Sequence, residues 1–361
     1  MFITLNKTIK LNQNYSFEEL LTQEEIPVYN TQKQYTFQID TPQTWSSHLH
    51  TVANTLKQLI TTHPEIHTLT REDIAKKYKT IHIPKKTSGT RTINAPSEEL
   101  KQLQKTILKT LQKITLTHDS AYAYVEKRSI YNALEQHQQN NSKWFLKIDL
   151  KNFFGSCTEE FIYQQLKQIY PFAVLTSDKD YDTIITDIIK IACLNGVLPQ
   201  GNPISPYLTN LIMVPIDYKL NSLAPVYTRY SDDMLFSART KINLTLTLQN
   251  IDNILAGTPL KINNEKTRLG SINGNNWNLG LMLNRENNIT LGHEKKRRFK
   301  AAIDQYLYSP DSYSMQQTQQ LAGLTAYYLN IEPNYIRYII DKYNKKHNKN
   351  LLYLLHHPFS F

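Results

Sequence analysis

The chain has 361 residues, 40% of them hydrophobic and 20% charged, which is enough apolar content for a core shared by two or three structural units and excludes a wholly disordered chain. Lys and Arg outnumber Asp and Glu by 10, so the surface field attracts polyanions and nucleic acid is the leading partner. Cys157 and Cys193 are the only cysteines and form no CxxC pair, which argues against a disulfide framework or a structural zinc site and suits a reducing cytoplasm, while no run approaches the roughly 18 apolar residues of a membrane span.

Residues 1 to about 70 lack a sharp period, apart from one helix expected around Trp45 to Thr61. From Tyr78, IHIPKK and RTINAP flank Thr87-Ser88-Gly89-Thr90, which predicts a β-hairpin with basic residues on both arms. In the next segment Leu100, Leu103, Ile107, Leu111 and Ile114 recur at helical spacing as a core face. Lys101, Lys105, Lys109 and Lys113 line another face, left to water or phosphate. In WFLKIDL, Leu146, Ile148 and Leu150 alternate with Lys147 and Asp149, so a strand buries the first set and presents Asp149 on the opposite face.

Helices are expected from about Thr158 to Tyr170 and from Asp182 to Leu194, followed by the loop VLPQGNPISP. A further helix starts near Pro206 and turns Leu208, Leu211 and Ile212 to the core, with Pro215 expected to end or kink it. VYTRYSDDMLFSA reads as two strands joined through Ser231-Asp232-Asp233, a hairpin with acid at its tip. Trp277 reads as a core residue, and LGLMLNRENNITLG forms a second hairpin turning at Glu286-Asn287-Asn288. From Glu294 onward the pattern is helical and basic, opening with HEKKRRFK.

Two adjacent aspartates on a tight turn repel by about 4 kcal/mol at 4 Å with an effective dielectric of 20, a cost that a divalent cation removes. A third carboxylate, Asp149, would complete an oxygen-rich set suited to Mg²⁺. Two ions roughly 4 Å apart can activate a hydroxyl and stabilise pyrophosphate in an in-line displacement. An isolated Asp pair is more often a solvated turn, so the surrounding blocks decide between the readings.

Those blocks are SGTRTINAP followed by LKQLQ, then AYAYVEKRSIYNALEQH, KIDLKNFF, VLPQGNPISPYLTN, YTRYSDDMLFSA, NNEKTRL and WNLGLMLN. In this order they resemble the prokaryotic reverse transcriptases of retrons, group II introns and phage-defence systems. The resemblance implies an α+β, right-hand polymerase fold with fingers, a ferredoxin-like palm of antiparallel sheet plus helices, and a helical thumb. On this chain that gives an N-terminal extension over 1–75, fingers over 76–145, palm over 146–292 with a fingers insertion at about 158–195, and a thumb and tail over 293–361.

The same resemblance implies that Asp149 and Asp232 are the main metal ligands, with Leu150 in the ligand set and Asp233 an auxiliary carboxylate at the primer end. Two Mg²⁺ ions are implied, with Mn²⁺ as the alternative. Phe154 matches the aromatic gate that selects deoxynucleotides; on an extended segment the rings of Phe153 and Phe154 point apart, which gives Phe153 to the core. Gln200 and Gly201 match the loop beside the nucleotide, while Arg91 and Lys85 or Lys86 match the cations that grip its triphosphate. Lys266 resembles the lysine near the leaving pyrophosphate and reads equally as a solvated side chain. Leu279, Gly280 and Leu281 resemble the primer grip, and Lys295, Lys296, Arg297 and Arg298 begin a thumb that would follow the hybrid backbone.

NALEQH is one residue longer than the usual retron block, and NLG stands where retron enzymes usually carry Val-Thr-Gly. The chain has no room for the domains that group II intron enzymes add after the thumb. It therefore looks more like the stand-alone defence-associated enzymes, which copy RNA templates, here a cognate noncoding RNA, into DNA from dNTPs. An effector protein, a second polymerase or a second copy of the chain would be further partners, and no membrane is expected. The alternative is a template-independent or protein-primed polymerase of the abortive-infection type; a retron enzyme or an inactive RNA-binding palm stands behind these.

Overall fold

A computed structural model describes residues 3–5, 37–39, 45–84, 89–272 and 280–357. Lys85, Lys86, Trp277 and Leu279 lie outside the described residues. The chain divides into two compact units, one of residues 1–128, 148–234 and 243–267, the other of residues 129–147, 235–242 and 268–361.

Near the N-terminus, β1 (Ile3–Leu5) pairs antiparallel with β2 (Phe37–Ile39). The expected first helix spans Trp45–Thr62. The basic hairpin is β3 (Tyr78–Pro84) and β4 (Thr90–Pro96), in register from Tyr78 opposite Pro96 to Pro84 opposite Thr90. Ser97 then caps the helix Glu98–Ile114 by accepting a hydrogen bond from the Leu100 N–H, satisfying one of the donors a helix start leaves free. All five apolar residues predicted for its core face are buried, together with Gln104 and Thr110.

β5 (Trp144–Asp149), β6 (Val226–Tyr230), β7 (Asp233–Ala238) and β8 (Arg268–Ser271) make a four-stranded sheet in the order β6-β7-β5-β8. β5 does not follow the simple alternation expected of it, because Phe145 and Asp149 are buried as well as Leu146, Ile148 and Leu150. It is an inner strand of the sheet, covered on both faces.

Between β5 and β6 the two expected helices come as three, Glu159–Leu166, Phe172–Leu175 and Lys179–Ala192. Pro171, which has no N–H to donate, separates the first two. The carboxylate of Asp178 accepts from the N–H groups of Asp180 and Tyr181, so the third helix begins before Asp182. The helix Ser205–Leu220 runs through Pro215, which was expected to end or kink it. The missing hydrogen bond is outweighed by packing, since nearly every side chain from Ser205 to Asp217 is buried.

In the second unit β5 pairs with β8, Trp144 opposite Ser271 through Lys147 opposite Arg268. The second hairpin is β9 (Met282–Leu283) and β10 (Ile289–Thr290), and Asn287 takes the left-handed backbone its turn requires. Helices His293–Tyr308, Met315–Ile331, Pro333–His347 and Leu351–His356 follow, as the pattern after Glu294 predicts. They close on a core that includes Phe299, Ile303, Tyr306, Leu321 and Ile336.

Candidate active site

Asp149 ends β5 and Asp233 opens β7, with Ser231 and Asp232 forming the turn after β6. The Leu150 N–H donates to the Asp232 carbonyl at 3.2 Å, which sets the end of β5 beside that turn. On its other side, the Asn263 N–H donates to the Asp149 carbonyl at 2.8 Å and the Lys151 N–H to the Lys261 carbonyl at 2.9 Å. Asp149 and the two residues after it are thereby tied through backbone to the acidic turn and to the segment of Lys261 and Asn263.

Asp149 is buried, 6% exposed. Asn263 Nδ2 donates to its Oδ1 at 3.0 Å. Lys266 Nζ lies 3.0 Å from Oδ1 and 3.2 Å from Oδ2. Burial raises the pKa of Asp232 above the ordinary carboxylate range, and the charges of Asp149 and Asp233 raise it further, opposed by its own backbone N–H and by Lys266. Lys266 holds its proton more tightly through its hydrogen bond to Asp149 and the charges of all three aspartates. The four residues thus form one electrostatic group: three carboxylates that repel each other and one ammonium that partly relieves them.

The donor chemistry of this group fits a hard divalent ion, because carboxylate oxygens gathered at mutual cost are what such an ion stabilises. Among the described residues, no three His, Cys, Asp or Glu side chains stand close enough to hold an ion as they are. Lys266 is the cation that pairs with Asp149.

Phe154 lies in the helical turn Phe153–Ser156, which follows Asn152 in left-handed backbone, and so the segment is not extended as expected. The rings do not point apart as expected but meet edge to face with centroids 5.8 Å apart; Phe153 is nonetheless the buried one and Phe154 half-buried. The Asn94 N–H of β4 donates to the Gln200 carbonyl at 2.7 Å. At Gly201, with φ of +116°, a Cβ would stand 2.6 Å from the Asn94 carbonyl oxygen, so only glycine fits that close approach. Asn202 ties the same loop down, its Nδ2 donating to the Ala192 carbonyl at 2.8 Å and its Oδ1 accepting from the Ile204 N–H at 2.7 Å. Arg91 is exposed on β4, three residues from Asn94.

In the second unit, Gly280 has φ of +89° and the ammonium of Lys295 covers it, where a Cβ would stand. Leu281 is fully buried. Burial lowers the pKa of Lys295. Lys296 is held within the protein, 2.7 Å from Glu332 Oε1 and 4.2 Å from the centre of the Tyr335 ring. Arg298 pairs with Glu294, and Arg297 is exposed.

Reading the sequence missed Asn94, Asn202 and Asn263, since a lone asparagine has no spacing that marks it. It also missed Arg229, although a charge in the middle of the apolar VYTRY strand was a usable signal: a buried charge needs a partner.

A family model described as reverse transcriptase (RNA-dependent DNA polymerase) matches residues 83–318. The chain is 30% identical over 305 residues to the retron Ec83 reverse transcriptase of Escherichia coli, covering 80% of this chain and 94% of that one. It is 29% identical over 276 residues to the retron Ec73 reverse transcriptase of Escherichia coli, covering 72% and 85%. Against the retron Ec86 reverse transcriptase of the same organism it is 28% identical over 270 residues, covering 73% and 79%. The longer NALEQH block and the NLG therefore do not separate the chain from retron enzymes. The chain belongs to the reverse transcriptase family, in its prokaryotic, retron-like branch, and is an RNA-directed DNA polymerase of the right-hand polymerase fold.

Proposed function

We propose that the chain polymerises DNA at Asp149, Asp232 and Asp233 and copies a dedicated noncoding RNA in the cytoplasm as part of antiphage defence. The observation that carries the site is the Leu150 N–H bond to the Asp232 carbonyl, which brings the ends of β5 and of the acidic turn together. Two Mg²⁺ ions, or Mn²⁺, held by Asp149, Leu150, Asp232 and Asp233 would supply the charge that activates a primer 3′-hydroxyl and stabilises pyrophosphate. Lys266, whose side chain is 63% exposed, is free to exchange Asp149 for a departing phosphate oxygen. Gly201 lets backbone approach the nucleotide while Gln200 offers its amide, and the Phe154 ring excludes a 2′-hydroxyl. Arg91, with Lys85 or Lys86, neutralises the triphosphate.

In this reading, residues 76–145 are the fingers, 146–292 the palm and 293–361 the thumb. The Leu279–Leu281 segment grips the primer, and of the run Lys295, Lys296, Arg297 and Arg298 the exposed Arg297 faces the duplex backbone, while Lys296 and Arg298 are held by Glu332 and Glu294. The test is to sequence RNA and DNA co-purifying with the wild type and with the Asp232→Asn, Asp233→Asn double variant. One RNA in both, with complementary DNA in the wild type alone, supports the reading; DNA without a matching RNA overturns templated synthesis.

A second reading, synthesis begun on a protein hydroxyl, draws on Tyr124. Its side chain is exposed and its hydroxyl donates to Ser231 Oγ at 3.3 Å, beside Asp232. DNA that resists phenol extraction until protease treatment, and no longer does so in Tyr124→Phe, is its expected mark; free 5′ ends exclude it.

A further inference from the structure

Arg229 sits in the middle of β6 and is fully buried, as is Asp217 of the helix Ser205–Leu220. Taking such a pair out of water costs several kcal/mol per ion, and is tolerated only where the remaining donors and acceptors are also satisfied. Here they are. Arg229 Nε donates to Asp217 Oδ1 at 2.9 Å and Nη2 to Oδ2 at 2.7 Å. The Tyr227 hydroxyl donates to Asp217 Oδ1 at 2.7 Å. Nη1 donates to Asn210 Oδ1 and to the Ser231 carbonyl, each at 3.1 Å. Asn210 in turn donates through Nδ2 to the Ala123 carbonyl at 2.8 Å, next to Tyr124.

The last of the guanidinium's acceptors is the one that bears on chemistry. Ser231 has φ of +61°, a left-handed backbone that is strained for a non-glycine residue and persists only where surroundings impose it. Two groups impose it: Arg229 on the Ser231 carbonyl and Tyr124 on its hydroxyl. That carbonyl belongs to the peptide group whose nitrogen is that of Asp232, so fixing its direction fixes the plane from which Asp232 departs. Stability alone gives no reason for an ion pair here, because well-packed apolar residues in its place are often neutral or stabilising. A planar fork does give one. It can hold Asp217 by two bonds and still aim a third donor at Ser231, which the point charge of a lysine cannot.

We propose that Arg229, braced by Asp217 and Asn210, is a positioning residue of polymerisation: its guanidinium holds the strained Ser231 peptide and thereby the direction of Asp232. This rests on the assignment of Asp232 to the active site made above. The experiment compares wild type, Arg229→Lys, the apolar replacement Asp217→Leu/Arg229→Met, and Asp232→Asn. For each, kcat and the KM for dNTP are measured on a DNA primer annealed to RNA, alongside the melting temperature, with activity read well below each variant's own melting midpoint.

The apolar double variant removes the guanidinium donor of the buried Asn210 Oδ1 and Ser231 carbonyl and is expected to melt below the wild type, yet when read well below its own midpoint to lose about 100-fold in kcat with little change in KM, the scale of loss that a misplaced catalytic group causes. Arg229→Lys is expected to show the same split between kcat and KM. If instead the folded variants, read well below their own midpoints, keep wild-type kcat and differ only in melting temperature, the pair is structural and the proposal falls. Should the double variant not fold, a wild-type kcat in Arg229→Lys overturns the proposal and a 100-fold loss at unchanged KM supports it. An active Asp232→Asn would remove the site assignment itself, whereas an inactive Asp232→Asn beside active Arg229 variants would remove only the positioning role.

Discussion

Gly201 shows how narrowly single residues constrain the candidate site. Its φ of +116° and the Asn94 carbonyl 2.6 Å from a would-be Cβ leave no room for alanine, and a backbone oxygen in β4 cannot step aside as a flexible side chain could. Gly201→Ala should therefore displace the Gln200 backbone, raising the KM for dNTP about tenfold, or 1.4 kcal/mol, while affinity for primer and template holds. Steady-state kinetics beside anisotropy binding separates the two, and equal losses in both would mean that the loop supports the fold and not the nucleotide. Gly201, Asp149, Asp232 and Asp233 were legible in the sequence because paired carboxylates and a loop glycine have a chemistry that marks them within their blocks. Asn263 was not, since it meets Asp149 from 114 residues away and nothing local in NNEKTRL distinguishes its first asparagine from its second.

At the level of elements, the apolar periods that set helix faces also set the core, as the helix Glu98–Ile114 shows, whereas charges and polar residues inside elements were harder to read. Pro215 does not end the helix Ser205–Leu220, because the burial of the side chains around it keeps the chain helical on both sides. His137, in the helix Ile130–Gln139, is a comparable case in the second unit. It is fully buried, its Nδ1 lies 2.6 Å from Ser237 Oγ of β7, and Ser142 Oγ lies 2.7 Å from the same oxygen. Burial lowers its pKa to about 3, so the folded protein keeps the ring neutral over a range in which the unfolded chain protonates it. Stability from this group is complete above the unfolded pKa near 6.5 and is lost as pH falls toward 3. Between pH 6.5 and pH 5 it should lower the unfolding free energy by about 2 kcal/mol. Urea titrations at the two pH values should show a drop that shrinks by about that amount in His137→Gln; an unchanged drop would mean that other groups carry the acid sensitivity.

Across the whole molecule the excess of 10 positive charges sets a general attraction for polyanions, but the attraction is useful only where ammonium and guanidinium groups remain available to phosphate. The run Lys295, Lys296, Arg297, Arg298 looks uniform in the sequence and is not so in the fold. Lys296 is committed to Glu332 and the Tyr335 ring, and Arg298 to Glu294, whereas Arg297 stands exposed. The two central residues should therefore fail differently. Arg297→Ala should weaken binding of an RNA:DNA primer-template irrespective of its sequence and make the dependence of log K on log salt shallower by about one unit, the mark of one lost phosphate contact. Lys296→Ala should leave that slope within error and instead lower the melting temperature, because it strips Glu332 of its cation; Glu332 Oε2 also accepts from the Leu291 N–H and so helps hold the start of the helix His293–Tyr308. Anisotropy titrations over a salt series, paired with thermal melts, measure both quantities. A Lys296→Ala variant that lost a full unit of slope while melting normally would show that its ammonium leaves Glu332 when nucleic acid binds, and would return the whole basic run to the duplex interface.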